Sequence, residues 1–294
     1  MLQPNSESDL LERLRKASVA TPAVPIPIGD DLAAMFWDGG DLLLIGIDQV
    51  LGGVHFDANA HSPAQIARKA VDRNLSDCAA MACLPHAMVM SIAAPRGTDV
   101  NALIDAARDA GRRFDCLLVG GDTGSWPGPL AISVAMVGRS EGVKPVTRCG
   151  ARPGDRLYVT GPRGGSILGR HIDITPRIHE ARALARSCDL HAMLDISDGL
   201  SRDLDRMCRA SQVGATLDAH AIPIHPDAFR MNDGVLPLDH ALHDGEDHEL
   251  LLACPRCDHP GVTCIGVIDP LPGVRIRIDD GIKPVEPRGW DHRW

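Results

Sequence analysis

Seven aspartates close five short apolar runs or tight turns in this chain, and that placement restricts the fold more than any other feature. They are Asp30 and Asp31 in Ile28-Gly29-Asp30-Asp31, Asp48 behind Leu42 to Ile47, and Asp77 in Asn74-Leu75-Ser76-Asp77. Asp122 follows in Gly120-Gly121-Asp122-Thr123, then Asp195 and Asp198 in Leu194-Asp195-Ile196-Ser197-Asp198-Gly199. A run such as Leu42-Leu43-Leu44-Ile45 reads as a buried strand, so its trailing acid is expected at a strand end, where rigid scaffolds display chemistry. Carboxylates gathered in one place repel one another unless hard cations sit between them. Mg²⁺ joined to phosphate oxygens is the commonest use of such a design. The plainer reading is that an Asp after a strand or beside a Gly bonds its own backbone in a turn. Most of these acids neighbour Gly, Ser or Thr rather than Lys or Arg, so lateral ion pairing does not account for them. The pattern points to metal-assisted phosphoryl chemistry.

At 294 residues the chain is long enough for two domains or one large one with a full core. Its aromatic content is only 3%, so the core must be built from Leu, Ile, Val, Ala and Met, and the few rings become candidate stacking positions. A formal charge of -9 argues against broad nucleic-acid binding, which needs a basic face. An acidic protein that handles anions needs metals or a local arginine cluster to reverse the field. Nine cysteines without framework spacing fit a reducing cytoplasm. Cys254-Pro255-Arg256-Cys257 lacks the second pair that a zinc site wants and reads as buried or surface thiols. No apolar stretch approaches the ~20 residues of a membrane span. Ser6-Glu7-Ser8-Asp9 ahead of Leu10, Leu11 and Leu14 reads as a capped amphipathic helix rather than a signal peptide.

In the first half, short strands alternate with helices. Ala67, Val71, Leu75, Cys78 and Ala82 have helical spacing over Ile66 to Ala82, and Asn74 and Asp77 are expected to point together into a cleft from the other face. A helix over Val100 to Arg113, a strand over Cys116 to Val119 and another over Leu130 to Gly138 follow. The polar passage from Arg139 to Asp155 sets the division near Arg148, giving domains 1–148 and 149–294. The second half opens with a strand over Arg156 to Thr160, then a helix over Pro176 to Arg186 and a short strand, Ala192 to Leu194. Leu200, Leu204, Met207 and Cys208 mark a further helix. No repeat of 20–50 residues is visible, which excludes solenoids.

The familiar phosphate signatures are absent: no GxxxxGK[ST] loop, no GxGxxG after a strand, and no kinase catalytic loop. Gly161 to Ser166 is either a backbone phosphate cradle or an ordinary Gly/Pro turn. Gly199, at the mouth of a helix, is better placed for an anion.

Seven motifs then carry a resemblance that covers nearly the whole chain. Ile28-Gly29-Asp30-Asp31-Leu32-Ala33-Ala34 is similar to a GIGDDAA opening. Gly53-Val54-His55-Phe56, Asn74 to Met81 and Gly120-Gly121-Asp122-Thr123 follow in the same order. Thr147 to Asp155 is similar to a TRxGAxPGD segment, and Asp195 to Leu200 and Gly245 to Leu250 complete the set. Together they resemble the thiamine-monophosphate kinase family, of the superfamily that also holds aminoimidazole ribonucleotide synthetase.

The resemblance implies an α+β fold of two domains, the N-terminal one carrying a dimer-forming sheet. It also implies an ATP site built from an acidic, Mg²⁺-loaded cleft, and transfer of the γ-phosphate of ATP to thiamine monophosphate in a cytoplasmic homodimer. Carried over by motif, Asp31, Asp48, Asp77, Asp122, Asp195 and Asp198 would hold Mg²⁺, with Asp30 beside them, and Asp122 and Asp195 would be central to turnover. Gly121, Asp122, Arg148 and Ser197 would meet the nucleotide, with Phe114 near its base. His55, Glu246 and Trp290 would meet the thiamine end. Read from the residues alone, His55 is equally a structural histidine, Glu246 a solvated acidic turn and Trp290 a plug for the C-terminus.

Several positions depart from the family pattern. Gly46-Ile47 stand where hydroxyl residues usually precede the aspartate, Gly53 replaces an acid, and His248 replaces a tyrosine. The stretch from Ser166 to Asp195 is short. Two other readings remain beside the kinase. One is a related enzyme acting on another small substrate; its hydrogenase-maturation form fits poorly with a chain that ends in Trp294 rather than a reactive cysteine. The other is a nucleotide-binding homologue without catalysis.

Overall fold

The apolar run ahead of Asp48 is the first part of a long strand, β2 (Leu42–Leu51), which follows a short one, β1 (Ala33–Phe36). The computed structural model describes residues 6–37, 39–279 and 281–292, so Trp294 lies outside the described residues. Ser6 caps α1 (Glu7–Ala17) by accepting the Asp9 N–H, with acids in the first turn and bases in the last. The long helix α2 (Pro63–Ala80) starts at a capping box between Ser62 and Gln65 with a proline in its first turn, so its N-terminal N–H groups are satisfied locally. Then come β3 (Leu84–Ala94), α3 (Val100–Arg112) capped by Asp99, β4 (Leu117–Ser125) and β5 (Ala131–Arg139).

These strands form one sheet in the order β1-β2-β5-β3-β4. β3 and β4 are parallel, and α3 supplies the crossover that a parallel pair requires. Leu44, Val50, Met88, Ile92, Ile132, Val134 and Met136 point to one face and are buried. The opposite face carries two apolar rows set by register: Ile45, Val137, Ala87 and Leu117, then Ile47, Ala135, Val89 and Gly120. Ile45, Ile47, Val89 and Leu117 on that face are exposed.

The second half holds β6 (Arg156–Val159), α4 (Ile178–Ser187), β7 (Ala192–Asp195), α5 (Leu200–Ser211) and β8 (Gly214–Asp218). It continues with α6 (Pro237–His243), β9 (Leu250–Cys254), β10 (Thr263–Asp269), β11 (Gly273–Ile278) and β12 (Gly281–Pro284). Its seven-stranded sheet runs β12-β11-β8-β10-β6-β9-β7. The architecture is α+β, and Arg148 falls in the segment between the two sheets. No helix among the described residues is long and apolar enough to cross a membrane.

α2 joins the halves. It packs on β2, β3 and β5 and on α3, and also on α4 and β7 of the second half. Asn74 does not enter a cleft with Asp77 as expected: it is buried, and its amide donates to the Ala70 carbonyl at 3.0 Å. Residues three apart differ by about 60° around a helix, enough on a helix packed on both sides to move one of them from cleft to core. The strand-end expectation also needs correction. Asp195 is the last residue of β7, but Asp48 lies inside β2 and Asp122 inside β4. β4 continues through its glycines because it runs close along β3; a Cβ at Gly121 would come 2.0 Å from the Met90 carbonyl oxygen. Cys254 and Cys257 are buried, and burial pushes their thiols up to about 12 and about 11.

Leu75 is fully buried on the α2 face that packs into the core. Leu75→Ala is expected to destabilise the chain by about 2–5 kcal/mol through lost transfer energy and a residual cavity. Urea unfolding should show a lower midpoint with an unchanged slope, because the surface exposed on unfolding hardly changes.

Candidate active site

The two halves and α1 enclose a cavity of about 1250 Å³. At its floor, Asp31 from the loop before β1, Asp77 from α2 and Asp195 from the end of β7 converge. One carboxylate oxygen of each lies within 4.8 Å of the other two. Asp195 is fixed by the Ser76 hydroxyl, which donates to its Oδ2 at 2.6 Å, and by His248 Nδ1 at 3.1 Å from the same oxygen. Burial pushes the Asp31 carboxyl up to about 7, aided by Asp195 and Asp30 and opposed by Arg148. Burial likewise lifts Asp77 well above the usual carboxylate range, with Asp48, Asp195 and Asp31 adding to it. Asp195 moves the other way. Burial opposes its ionisation, yet the hydrogen bond and charge of His248, with Ser76 and Arg73, hold its carboxyl below the ordinary value. Asp31 Oδ2 is buried without a hydrogen-bond partner. An all-oxygen set with an orphaned carboxylate oxygen fits a hard divalent cation such as Mg²⁺.

The remaining acids expected to bind metal are spread around this triad. Asp30, Asp48 and Asp198 line the same cavity, but each faces an arginine. Asp30 accepts the Arg148 backbone N–H at 2.6 Å, Asp48 accepts Arg73 Nε at 3.1 Å, and Asp198 accepts Arg206 Nη1 at 2.5 Å. Arg148 also donates from Nη2 to Asp31 at 2.6 Å. Gly121 and Asp122 are elsewhere: they line a second cavity of about 440 Å³ against α3. β4 stands three strands from β2, about 14 Å at the usual spacing. Phe114 lines neither cavity; its ring lies 5.7 Å from that of His179.

The backbone N–H groups expected to cradle phosphate are already taken by carboxylates. Asp203 accepts those of Asp198 and Gly199, at 2.9 and 3.1 Å. Asp247 and Asp244 accept those of Gly164 and Gly165. The loop from Gly161 to Ser166 is therefore a turn tied down by internal anions. Ser197 remains on the cavity wall.

His55, Glu246 and Trp290 line the same cavity. His55 Nδ1 accepts the Leu51 N–H at 3.1 Å, and burial with the nearby Arg73 brings its pKa down to about 4. The ring is thus neutral near pH 7, with the proton on Nε2. Glu246 sits at φ 61 and bonds Lys69 Nζ at 2.6 Å and Arg73 Nη1 at 3.2 Å. The Trp290 N–H donates to the Asp198 carbonyl, and its indole stands edge-on to His292. This C-terminal segment is clasped by α1, through Glu7 N–H to the His292 carbonyl and Ser8 to Asp291.

Lys69 and Arg73 are not singled out by the sequence reading, and Ser76 and His248 appear there without their role of holding Asp195. A signal was present: Lys69, Arg73 and Asp77 recur every four residues and share one face of α2.

Residues 29–140 match the family model for the AIR synthase related protein N-terminal domain, and 152–255 the corresponding C-terminal domain. A thiamine-monophosphate kinase of Rhodopirellula baltica is 38% identical over 257 residues, 83% of this chain and 81% of the relative. The chain belongs to the thiamine-monophosphate kinase family. The enzyme of that name from Escherichia coli is 32% identical, with 92% of each chain covered. A solved structure of AaThiL complexed with AMPPCP and TMP is 28% identical, with a TM-score of 0.85 over 98% of this chain and 97% of that one.

A Cβ at Gly46 would come 2.3 Å from Leu32 Cδ2, so a larger residue there requires the buried Leu32 side chain to shift.

Mutual repulsion within the triad yields an expectation for the metal-free protein. Two unit charges 4 Å apart repel by about 4 kcal/mol at an effective dielectric near 20. Asp77→Asn should therefore raise the thermal midpoint in EDTA, by at most the equivalent of about that energy. Wild type should gain stability on adding Mg²⁺, about 2.7 kcal/mol at one hundred times the dissociation constant, and Asp77→Asn should lose most of that gain. Calorimetric melting with and without Mg²⁺ checks both; a variant less stable in EDTA and still responsive to Mg²⁺ contradicts the triad as a cation site.

Proposed function

We propose that this chain transfers the γ-phosphoryl group of ATP directly to the phosphate of thiamine monophosphate, giving thiamine diphosphate, and that it does so with Mg²⁺. The observation that carries the reading is one cavity lined both by a converging carboxylate triad and by His55, Glu246 and Trp290. Asp31, Asp77 and Asp195 would hold the cation, which when bound supplies the positive charge that lets two polyanions approach. The acceptor needs no general base, because a phosphate monoester with a second pKa near 6 is already largely a dianion at neutral pH. The chain's task is positioning and charge balance. Arg148 places a guanidinium beside Asp31, on the nucleotide side. The neutral His55 offers an Nε2–H, and Trp290 an exposed ring face for the thiamine end. A silent nucleotide-binding homologue is the second reading, favoured by Gly46-Ile47 alone.

Purified protein incubated with ATP, Mg²⁺ and thiamine monophosphate is expected to form thiamine diphosphate. Asp195→Asn should cut turnover at least about 100-fold, the usual loss when one positioned electrostatic group is removed. Circular dichroism and melting should remain near wild type. Absence of product at every Mg²⁺ concentration would select the silent homologue.

The exposed apolar face of the first sheet and the remote position of Asp122 support a homodimer formed through that sheet. Asp122 pairs with Ser91, in the polar row that also holds Ser133 and Gln49, next to the two apolar rows. A partner packed on this face would cover Ile45, Val89 and Leu117 and bring Gly121 and Asp122 of the partner subunit toward the cleft. The nine free cysteines suit the cytoplasm as the place of action. Wild type should sediment as a dimer at micromolar concentration. Val89→Glu puts a charge in the middle of the apolar row and should give a folded monomer with little activity; a monomeric wild type with full activity would refute the shared site.

A further inference from the structure

Arg73 stands between Asp48 and Glu246 in the cleft. Its Nε donates to Asp48 at 3.1 Å, and its Nη1 donates to Glu246 at 3.2 Å. Its Nη2 bonds no described residue, and the side chain lines the cavity at 16% exposure. We propose that Arg73 is the acceptor-phosphate residue of this site, a built-in cation that balances Asp48 in place of a metal ion and turns its free guanidinium nitrogen onto the phosphate of the acceptor. The proposal rests on the reading of thiamine monophosphate as acceptor and adds which residue holds its phosphate.

Three observations favour Arg73 over the other cations. Lys69 is fully buried and its ammonium is already committed to Glu246 and the His55 carbonyl, each at 2.6 Å. Arg148 is tied to Asp31, and Arg206 to Asp198 and Asp203. Of these cations only Arg73 joins Asp48, whose charge acts on Asp77 of the triad, to Glu246, so its charge sits between the cation site and the residue read as meeting the thiamine end. Its field is felt around the cleft: it lowers the His55 pKa second only to burial, and it lowers those of Glu246 and Asp195 against burial, after Lys69 and His248 respectively. Asp48 is correspondingly absent from the converging triad, its Oδ2 turned to Arg73. With Gly46-Ile47 offering no hydroxyl beside Asp48, a guanidinium is a reasonable substitute for a cation there. A planar fork that releases a carboxylate for a phosphate exchanges one charge-assisted pair for another.

The test uses the full chain, wild type beside Arg73→Gln and Arg73→Lys. Titration calorimetry would measure thiamine monophosphate, thiamine, and Mg²⁺ alone without nucleotide. Arg73→Gln is expected to weaken thiamine monophosphate about 10- to 100-fold, the range for hydrogen bonds to a charged group, and to leave thiamine within about twofold. The same variant should bind Mg²⁺ more tightly or take up an additional ion, because Asp48 is released. Arg73→Lys keeps the charge, so it should leave Mg²⁺ binding unchanged and lose less affinity for the monophosphate. If Arg73→Gln cannot fold, Arg73→Lys must still show a loss confined to the phosphorylated ligand. Equal losses for both ligands, or none, would overturn the proposal, as would Mg²⁺ binding that ignores the loss of charge. A wild type that binds thiamine monophosphate no better than thiamine and makes no diphosphate defeats the functional reading itself, a result distinct from an active wild type with an indifferent variant.

Discussion

The structure turns on the seam between α2 and β7, where Ser76 donates to Asp195 across two halves of the chain. That contact brings a strand end of the second sheet against the helix that carries Asp77, and the loop holding Asp31 closes the triangle. Gathering three acids there costs several kcal/mol, as repulsion or as the proton uptake that the raised Asp31 and Asp77 carboxyls show, an amount comparable with the 5–15 kcal/mol by which domains are usually stable. The packing of α2 must hold them there. Val71, Leu75, Cys78 and Ala79 are fully buried, and the helix is covered by both halves.

Charge is then sorted in space. Asp48, Asp198 and the backbone-anchoring Asp30 each face an arginine, whereas Asp77 is left among other carboxylates. Asp48 and Asp198 are balanced by guanidinium groups beside the triad, and within the triad Asp31 keeps Arg148 as a partner. The same sorting explains why the glycine loops do not wait for a phosphate: internal carboxylates already occupy their N–H groups. A protein with a formal charge of -9 can bind polyanions because its positive groups are placed where they are required.

Much of this was legible in the sequence, unevenly. The cap of α1, the periodicity of α2 and α5 and the motif order marked most of the elements that build the site. Helix phase was misread at one point, where Asn74 was paired with Asp77 although Arg73 and Lys69 share its face. Asp122 was grouped with the other acids because its motif looks alike, but strand order puts β4 at the far edge of the first sheet. Motif spacing along a chain carries no information about which edge of a sheet a strand occupies.

The sequence by itself determined the local structure, the family and the pool of residues from which a site could be drawn, because capping, hydrophobic period and motif identity act over a few residues. Only the tertiary structure decided which three aspartates meet, which are paired with arginines, and that Arg73 bridges Asp48 and Glu246. Those outcomes depend on helix phase, sheet order and the packing of α2 between two halves, and Coulomb energy falls off with distances that residue numbers do not encode.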